Sequence, residues 1–223
     1  MTSSTALVSA VVMDAQLLAV ARAAKGFMPD EEGLALHDAA RDAGARGPLL
    51  EIGTYCGKSA VFLGAAARAA GTVVFTVDHH RGSEENQAGW EHHDADVVDA
   101  RTGRMDTLPF FRRTIEEAGL EDVVVAIVGQ SVPVARAWRT PLGFLFIDGG
   151  HAEDVAMADY EHWSPHLVAG GILAIHDVFE DPLQGGQAPF HVWRRAVGEG
   201  FTPVSATGSL RVLQRGPVAI VQR

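Results

Sequence analysis

Apolar and polar positions along the chain follow two different periods. Through the first fifty residues apolar side chains recur at helical spacing: an Ala/Leu/Val-rich stretch at 14–25, a break at Gly26 and Pro29, and a second helix at 30–46. In that second helix Leu34, Ala35 and Asp38 fall at helical spacing, and Gly47-Pro48 closes it. Short unbroken apolar runs follow at 49–52, 72–77, 123–128, 144–147 and 171–175, rich in β-branched or aromatic residues and bounded by Gly, Asp or Pro. Each is too short for a helix and has the look of a strand buried on both faces. The stretches between them, at 59–70, 108–118, 132–138 and 154–163, read as helices. Strands alternating with helices predict an α/β fold, a doubly wound parallel sheet with helices on both faces. The tail breaks the rhythm. Runs at 201–205, 210–213 and 218–221, separated by Gly208-Ser209 and Gly216-Pro217, predict a closing antiparallel hairpin.

One segment fits neither period. Residues 79–106 are polar and His-rich with Trp90 in their midst, and a connection this long predicts an inserted lid over a site. The expected organisation is therefore a single domain over 1–223, with 1–48 as a helical cap. Composition narrows the chemistry. With 28 acids against 18 bases, a net charge of −10 argues against nucleic acid and anionic membranes as partners. A single cysteine, Cys56, excludes a disulfide framework and any CxxC zinc site. The apolar runs are strand-sized and the first residues carry no basic segment, so the expected location is cytoplasmic. His79-His80 and His92-His93 lack metal-ligand spacing and read as a solvated loop; Trp138, Trp163 and Trp193 read as core; Glu116-Glu117 and Arg194-Arg195 read as solvated helix faces. The Ala-rich N-terminal helices suggest a homodimer surface.

The chemistry gathers at strand ends. Leu49 to Val61 runs strand, glycine turn, helix, which is where open α/β sheets bind ligands. Tyr55 occupies the middle position that a dinucleotide fingerprint gives to glycine, and Gly53 and Gly57 stand one residue too close for a phosphate loop. Glu51-x-Gly53-x-x-x-Gly57 instead suits S-adenosylmethionine, whose sulfonium and ammonium favour an acidic site. Gly53, Thr54, Tyr55, Gly57 and Ser59 would form the loop, with Glu51 placed to meet the ammonium directly or through water. Asp78, ending the second strand, would accept ribose hydroxyls. Gln130 and Ser131, after the third parallel strand, are either donor contacts or a helix N-cap. Asp148-Gly149-Gly150-His151 and His176-Asp177 end two further strands. If those strands are neighbours, Asp148, His176 and Asp177 meet at one rim beside the donor and hold a divalent ion. Carboxylates favour Mg²⁺, whereas an imidazole favours Mn²⁺, Fe²⁺ or Zn²⁺. His151 could act as general base.

The stretch from Glu51 to Val61 closely resembles the donor loop of catechol-type, metal-dependent O-methyltransferases. Asp148 to His151 and His176-Asp177 are similar to the macrocin-type sugar O-methyltransferases. Both groups are class I S-adenosylmethionine-dependent enzymes, and the likeness spans roughly residues 26–180. It implies a Rossmann-like, seven-stranded, mostly parallel sheet whose last strand inserts antiparallel. It implies donor contacts at Glu51, Gly53, Tyr55, Ser59, Asp78, Gln130 and Ser131, and a divalent ion held by Asp148 and Asp177. It implies a base at His151, a lysine in the catechol type and a histidine in the macrolide-sugar type. His176 departs from the acid pair, or acid and amide, usual at the fifth strand. The long insertion suggests a large acceptor, and with Gly-Gly-His it also resembles actinobacterial enzymes that methylate the reducing-end hydroxyl of methylmannose oligosaccharides. The expected function is methyl transfer to a saccharide hydroxyl. A catechol or other phenol is the alternative acceptor, and an NAD-dependent oxidoreductase or a non-catalytic nucleoside-binding module are readings from other classes.

Overall fold

A computed structural model describes residues 12–84, 87 and 93–217. Helices α1 (Ala15–Ala23) and α2 (Asp30–Ala43) precede β1 (Leu49–Ile52), α3 (Lys58–Ala70) and β2 (Val74–Asp78). A small antiparallel pair follows, β3 (Val98–Asp99) and β4 (Arg104–Met105), and then α4 (Leu108–Glu117), β5 (Val124–Val128) and α5 (Ser131–Ala137). The chain ends with β6 (Leu142–Ile147), α6 (Glu153–Trp163), β7 (Leu167–Ile175), α7 (Ala188–Gly198), β8 (Phe201–Thr207) and β9 (Leu210–Arg215).

Seven strands form one sheet in the order β5-β2-β1-β6-β7-β9-β8. The first five are parallel, and β9 runs antiparallel between β7 and β8. This is the Rossmann-like sheet expected, with its last strand inserted. Strand alternation divides the core. Leu49, Phe144, Phe146, Ile172, Ala174 and Val212 face one way, against Leu36 and Ala40 of α2 and Phe62 and Leu63 of α3. Leu50, Ile52, Leu145, Ile147, Leu173, Ile175 and Leu213 face the other, against Tyr160 and Trp163 of α6 and Val192 of α7. Because both faces are covered, the central strands needed continuous apolar runs, and that made them readable.

Three expectations change. The run at 123–128 becomes β5, a sheet edge rather than a strand buried on both faces: Val125 is 40% exposed and Val128 56%. In α2 the buried stripe is Glu32, Leu36, Ala40 and Ala43, with His37 beside it, whereas Asp38 faces solvent. Helix α7 is absent from the expected helical stretches, although Arg194-Arg195 read as a helix face; it begins on Ala188-Pro189 just after a Gly-rich loop, with Pro in its first turn. Trp163 is fully buried, and Trp138 and Trp193 pack against the same core. Glu116, Glu117, Arg194 and Arg195 are exposed. The run at 218–221, Trp90 and His92 lie outside the described residues. No helix among the described residues is long and apolar enough to cross a membrane.

The chain builds outward from β1 to β2 and β5 on one side and to β6 and β7 on the other, so the order reverses between β1 and β6. That reversal opens a crevice at the carboxyl ends of the strands. Three non-glycine residues there adopt left-handed backbone: Tyr55 after β1, His80 after β2 and Asp177 after β7, with φ of 51°, 57° and 54°. Such strain gathers at functional edges.

Candidate active site

The crevice is a cavity of about 920 Å³, near the upper end of small-molecule sites and roomy enough for two ligands. The loop between β1 and α3 forms its floor. Gly53 has φ +82°, and a Cβ there would lie 2.1 Å from the Asp148 carbonyl oxygen, so only glycine lets the exits of β1 and β6 approach. Asp78 fixes the loop from the side. Its Oδ2 accepts the Thr54 and Tyr55 N–H groups at 2.9 and 2.8 Å, and its Oδ1 accepts the His80 N–H at 2.7 Å. A carboxylate offers about four acceptor positions, so one remains for a ligand. Gly53, Thr54, Tyr55, Ser59, Asp78, Gln130, Ser131 and Asp148 all line the cavity. Gln130 holds the N-cap position of α5 without capping it through its side chain, and Ser131 Oγ accepts from Trp163 Nε1 at 2.7 Å.

Two expected donor residues stand elsewhere. Gly57, with φ +92°, begins α3 behind the loop, and Glu51 is fully buried rather than on the cavity wall. By strand alternation Glu51 points with Leu49 toward the α3 side, so direct contact with a ligand ammonium gives way to an influence from one layer back. Its two carboxyl oxygens, with Thr54 Oγ1 and Thr76 Oγ1, are buried without a hydrogen-bond partner among the described residues. Burial pushes the Glu51 carboxyl up to about 8, only softened by the nearby Ser59 and Thr54 hydroxyls. Thr54 borders the cavity while Glu51 and Thr76 lie one layer behind it, so their polar groups act on a bound cationic ligand across that layer.

The opposite rim is the reverse. β6 and β7 are neighbours, so Asp148, His176 and Asp177 do converge. His176 does not join the acids as a third ion ligand, however. Its Nδ1 lies 3.0 Å from Asp148 Oδ1 and 3.4 Å from Asp177 Oδ2, and its Nε2 lies 2.5 Å from Glu32 Oε2. Burial alone would disfavour its charge, but the surrounding acids, Asp148 foremost, raise it far above an ordinary histidine. An imidazole donating from both nitrogens has no lone pair for a metal. His151 takes the vacant position instead, its Nε2 3.3 Å from Asp177 Oδ2. Burial acts to raise Asp177, but hydrogen bonds from His151 and His176 outweigh it and hold the acid well below the usual carboxylate range. Burial raises Asp148 against the pull of His176. Ligand atoms of Asp148, His151 and Asp177 all lie within 4.8 Å of one another, and no other such group occurs among the described residues. Two carboxylates and an imidazole, half-buried on a cavity wall, are a donor set that fits a divalent ion.

Two buried acids near the site were missed. Glu32, 4% exposed, comes from α2, and Asp159, 3% exposed, lines the cavity from α6, where burial pushes it up to about 6 despite the Ser131 hydroxyl. The signal was present: each acid interrupts an apolar helical stripe, Glu32 with Leu36 and Ala40, Asp159 with Ala156, Tyr160 and Trp163. In the insertion, His80 is buried rather than solvated. Its Nδ1 sits 2.8 Å from Thr107 Oγ1 and its ring packs beside Phe111. Lys25 Nζ reaches Asp94 at 2.6 Å and Asp96 at 2.9 Å, while Val97 and Met105 pack with Cys56.

Fold and crevice together define a nucleoside-binding enzyme of the doubly wound α/β class. A family model described as a methyltransferase domain matches residues 50–178. The chain belongs to that family and is an S-adenosylmethionine-dependent methyltransferase. Solved structures with the same fold include the O-methyltransferase NovP, 16% identical over 84% of this chain and 80% of that one, with a TM-score of 0.64. An O-methyltransferase from Bacillus cereus in complex with SAH is 19% identical, over 93% and 94%, at 0.61. TomG from Streptomyces achromogenes, an O-methyltransferase involved in tomaymycin synthesis and solved with SAM, is 19% identical, over 93% of each chain, at 0.61.

Proposed function

We propose that this methyltransferase acts on oxygen, transferring the methyl group of S-adenosylmethionine to a saccharide hydroxyl with His151 as general base. The observation that carries the reading is the His151–Asp177 pair on the cavity wall, beside the donor loop and opposite open space. The Asp177 carboxylate orients the ring and stabilises the positive charge the ring acquires, as in other carboxylate–histidine pairs. An alcohol is a poor nucleophile until its proton leaves, and an imidazole nitrogen within reach of the hydroxyl can take that proton. Bound S-adenosylmethionine supplies a methyl carbon on a sulfonium, whose C–S bonding pair returns to sulfur as the new C–O bond forms. Gly53, Thr54, Tyr55 and Ser59 would hold its methionine end, Asp78 its ribose, and Gln130 and Ser131 its adenine. Asp148 and Asp177 would hold a divalent ion, Mg²⁺ by their oxygen chemistry, which supplies positive charge that eases loss of the hydroxyl proton. The described parts of the expected cap (1–48) and lid (79–106) would border the acceptor side, supported by Lys25, Phe27, Met28, Gly82 and Ser83 on the cavity wall.

A phenolic acceptor is the second reading, favoured by the Phe27 and Tyr55 rings, 5.6 Å apart near the cavity. The test is methyl transfer from labelled donor to mono- and oligosaccharides beside catechols, with Mg²⁺ or with EDTA. Saccharide labelling lost in EDTA is expected. Labelling of catechols alone overturns the acceptor, and full activity in EDTA overturns the ion.

A further inference from the structure

We propose that Glu32, carried by the N-terminal helix α2, is a positioning residue for the reaction rim: it clamps the His176 ring and, through it, sets Asp148 and Asp177 around His151. The proposal rests on the reading of that rim as the place of methyl transfer. Glu32 is buried and touches neither the cavity nor His151 in any contact seen, so its action must run through another residue.

Three elements meet at its carboxylate: α2 itself, the β8–β9 turn and the end of β7. Oε1 accepts the Ser209 N–H at 2.6 Å, and Oε2 accepts the Ser209 hydroxyl at 3.2 Å and faces His176 Nε2 at 2.5 Å. Ser209 Oγ also stands 3.5 Å from Asp177 Oδ1. The β8–β9 turn is shaped around the acid: Gly208 has φ +52°, and a Cβ there would lie 2.0 Å from Glu32 Oε1. A neutral glutamine could also join α2 to the turn, its carbonyl accepting the Ser209 N–H and its amide donating to the Ser209 hydroxyl. The carboxylate's remaining contact is the His176 ring, whose far side meets Asp148 and Asp177. Held at both nitrogens, the ring cannot turn, and it draws together two carboxylates that would otherwise repel. Asp177 is kept in left-handed backbone, a conformation a non-glycine residue holds only when its neighbours enforce it.

The experiment compares Glu32→Gln, and Glu32→Gln combined with His176→Gln, whose amide reaches the place of Nε2, with the wild-type chain. For Glu32→Gln, kcat should fall roughly ten- to hundredfold, as for lost second-layer partners elsewhere, while SAH affinity stays within about threefold. The double variant, an amide pair able to hydrogen-bond without charge, should regain thermal stability without regaining kcat. Activity recovered together with stability would show a merely structural role and overturn the proposal, as would an unchanged kcat in Glu32→Gln. A readout free of turnover separates this from failure of the underlying reading. In ¹⁵N spectra of the ring nitrogens, Glu32→Gln should shift the His151 signals although Glu32 does not touch that ring. Unmoved His151 signals overturn the positioning role even if no acceptor is ever found, and moved signals without methyl transfer overturn the acceptor assignment alone.

Discussion

The two walls of the crevice satisfy their polar groups in opposite ways. On the β1 side, Glu51, Thr54 and Thr76 bury acceptors with no partner among the described residues. On the β6–β7 side each acid already has one: Asp148 and Glu32 meet His176, and Asp177 meets His176 and His151. An unmet buried polar group costs about 1–3 kcal/mol, and because only Thr54 of the three borders the cavity, a ligand's charge acts on Glu51 from one layer away. The second wall carries its own cation and is arranged before any ligand arrives. Substitutions should therefore divide, with those on the rim changing the rate of transfer and those on the loop wall changing donor affinity.

The largest effect is expected at His151. His151→Ala should lower kcat roughly 10²- to 10⁴-fold, the usual contribution of a positioned base. SAH affinity, measured by calorimetry, should change little, because the donor contacts lie on other strands. Rescue by raised Mg²⁺ or Mn²⁺ would make His151 an ion ligand instead of a base. Loss of SAH binding on the same scale would erase the division between the walls.

The opposite pattern is expected for Asp78→Asn. Hydrogen bonds to a charged group contribute about 1.5–3 kcal/mol, so SAH should bind roughly ten- to a hundredfold more weakly. At saturating donor and acceptor, kcat should stay within a few-fold of wild type. A kcat loss that saturation does not recover would place Asp78 with the rim.

The same division explains what could be read from the sequence. The loop wall lies within nine residues, Glu51 to Ser59, plus one strand-end acid, so spacing alone exposes it. The sheet was legible for a similar reason, since strands covered on both faces need unbroken apolar runs. The rim draws on residues 32, 148, 151, 176, 177 and 209, which only the sheet order brings together. Its acids at the ends of β6 and β7 were visible one by one, whereas the partner that turns His176 from ligand to cation comes from a helix 144 positions away. An edge strand such as β5 misled for the converse reason: its apolar run is the same, but Val125 and Val128 are left exposed.

A smaller effect, seen in stability rather than rate, should come from Glu51. Burial raises its carboxyl from the ordinary 4.5 to about 8, so the folded chain keeps a proton that the unfolded chain has lost across that interval. Folded stability from this group is then fully present below about pH 4.5 and is lost as pH rises toward 8, at about 1.4 kcal/mol per unit. The ligand-free protein should lose thermal stability more steeply than Glu51→Gln between pH 5 and 8, as followed by calorimetric unfolding. SAH, whose ammonium favours the ionised acid, should make the wild-type slope shallower. Parallel slopes for the two proteins would mean that Glu51 is ionised in the ligand-free fold, and the first wall would then not be waiting for a cation.

The smallest effect is expected at the mouth, which belongs to neither wall. Phe27 is 60% exposed, with its ring tilted 41° to that of Tyr55. An aromatic face there can stack on the C–H surface of a sugar or on a phenol, and such contacts contribute about 0.5–1.5 kcal/mol. Phe27→Ala should therefore raise the acceptor KM roughly two- to tenfold, leaving SAH affinity and kcat unchanged. Steady-state assays with varied acceptor read this directly. A change in SAH affinity instead would assign the ring to the donor wall through Tyr55. No change at all would place the acceptor on the far side of the cavity, against Phe179 and the Gly185-Gly186 loop near His151.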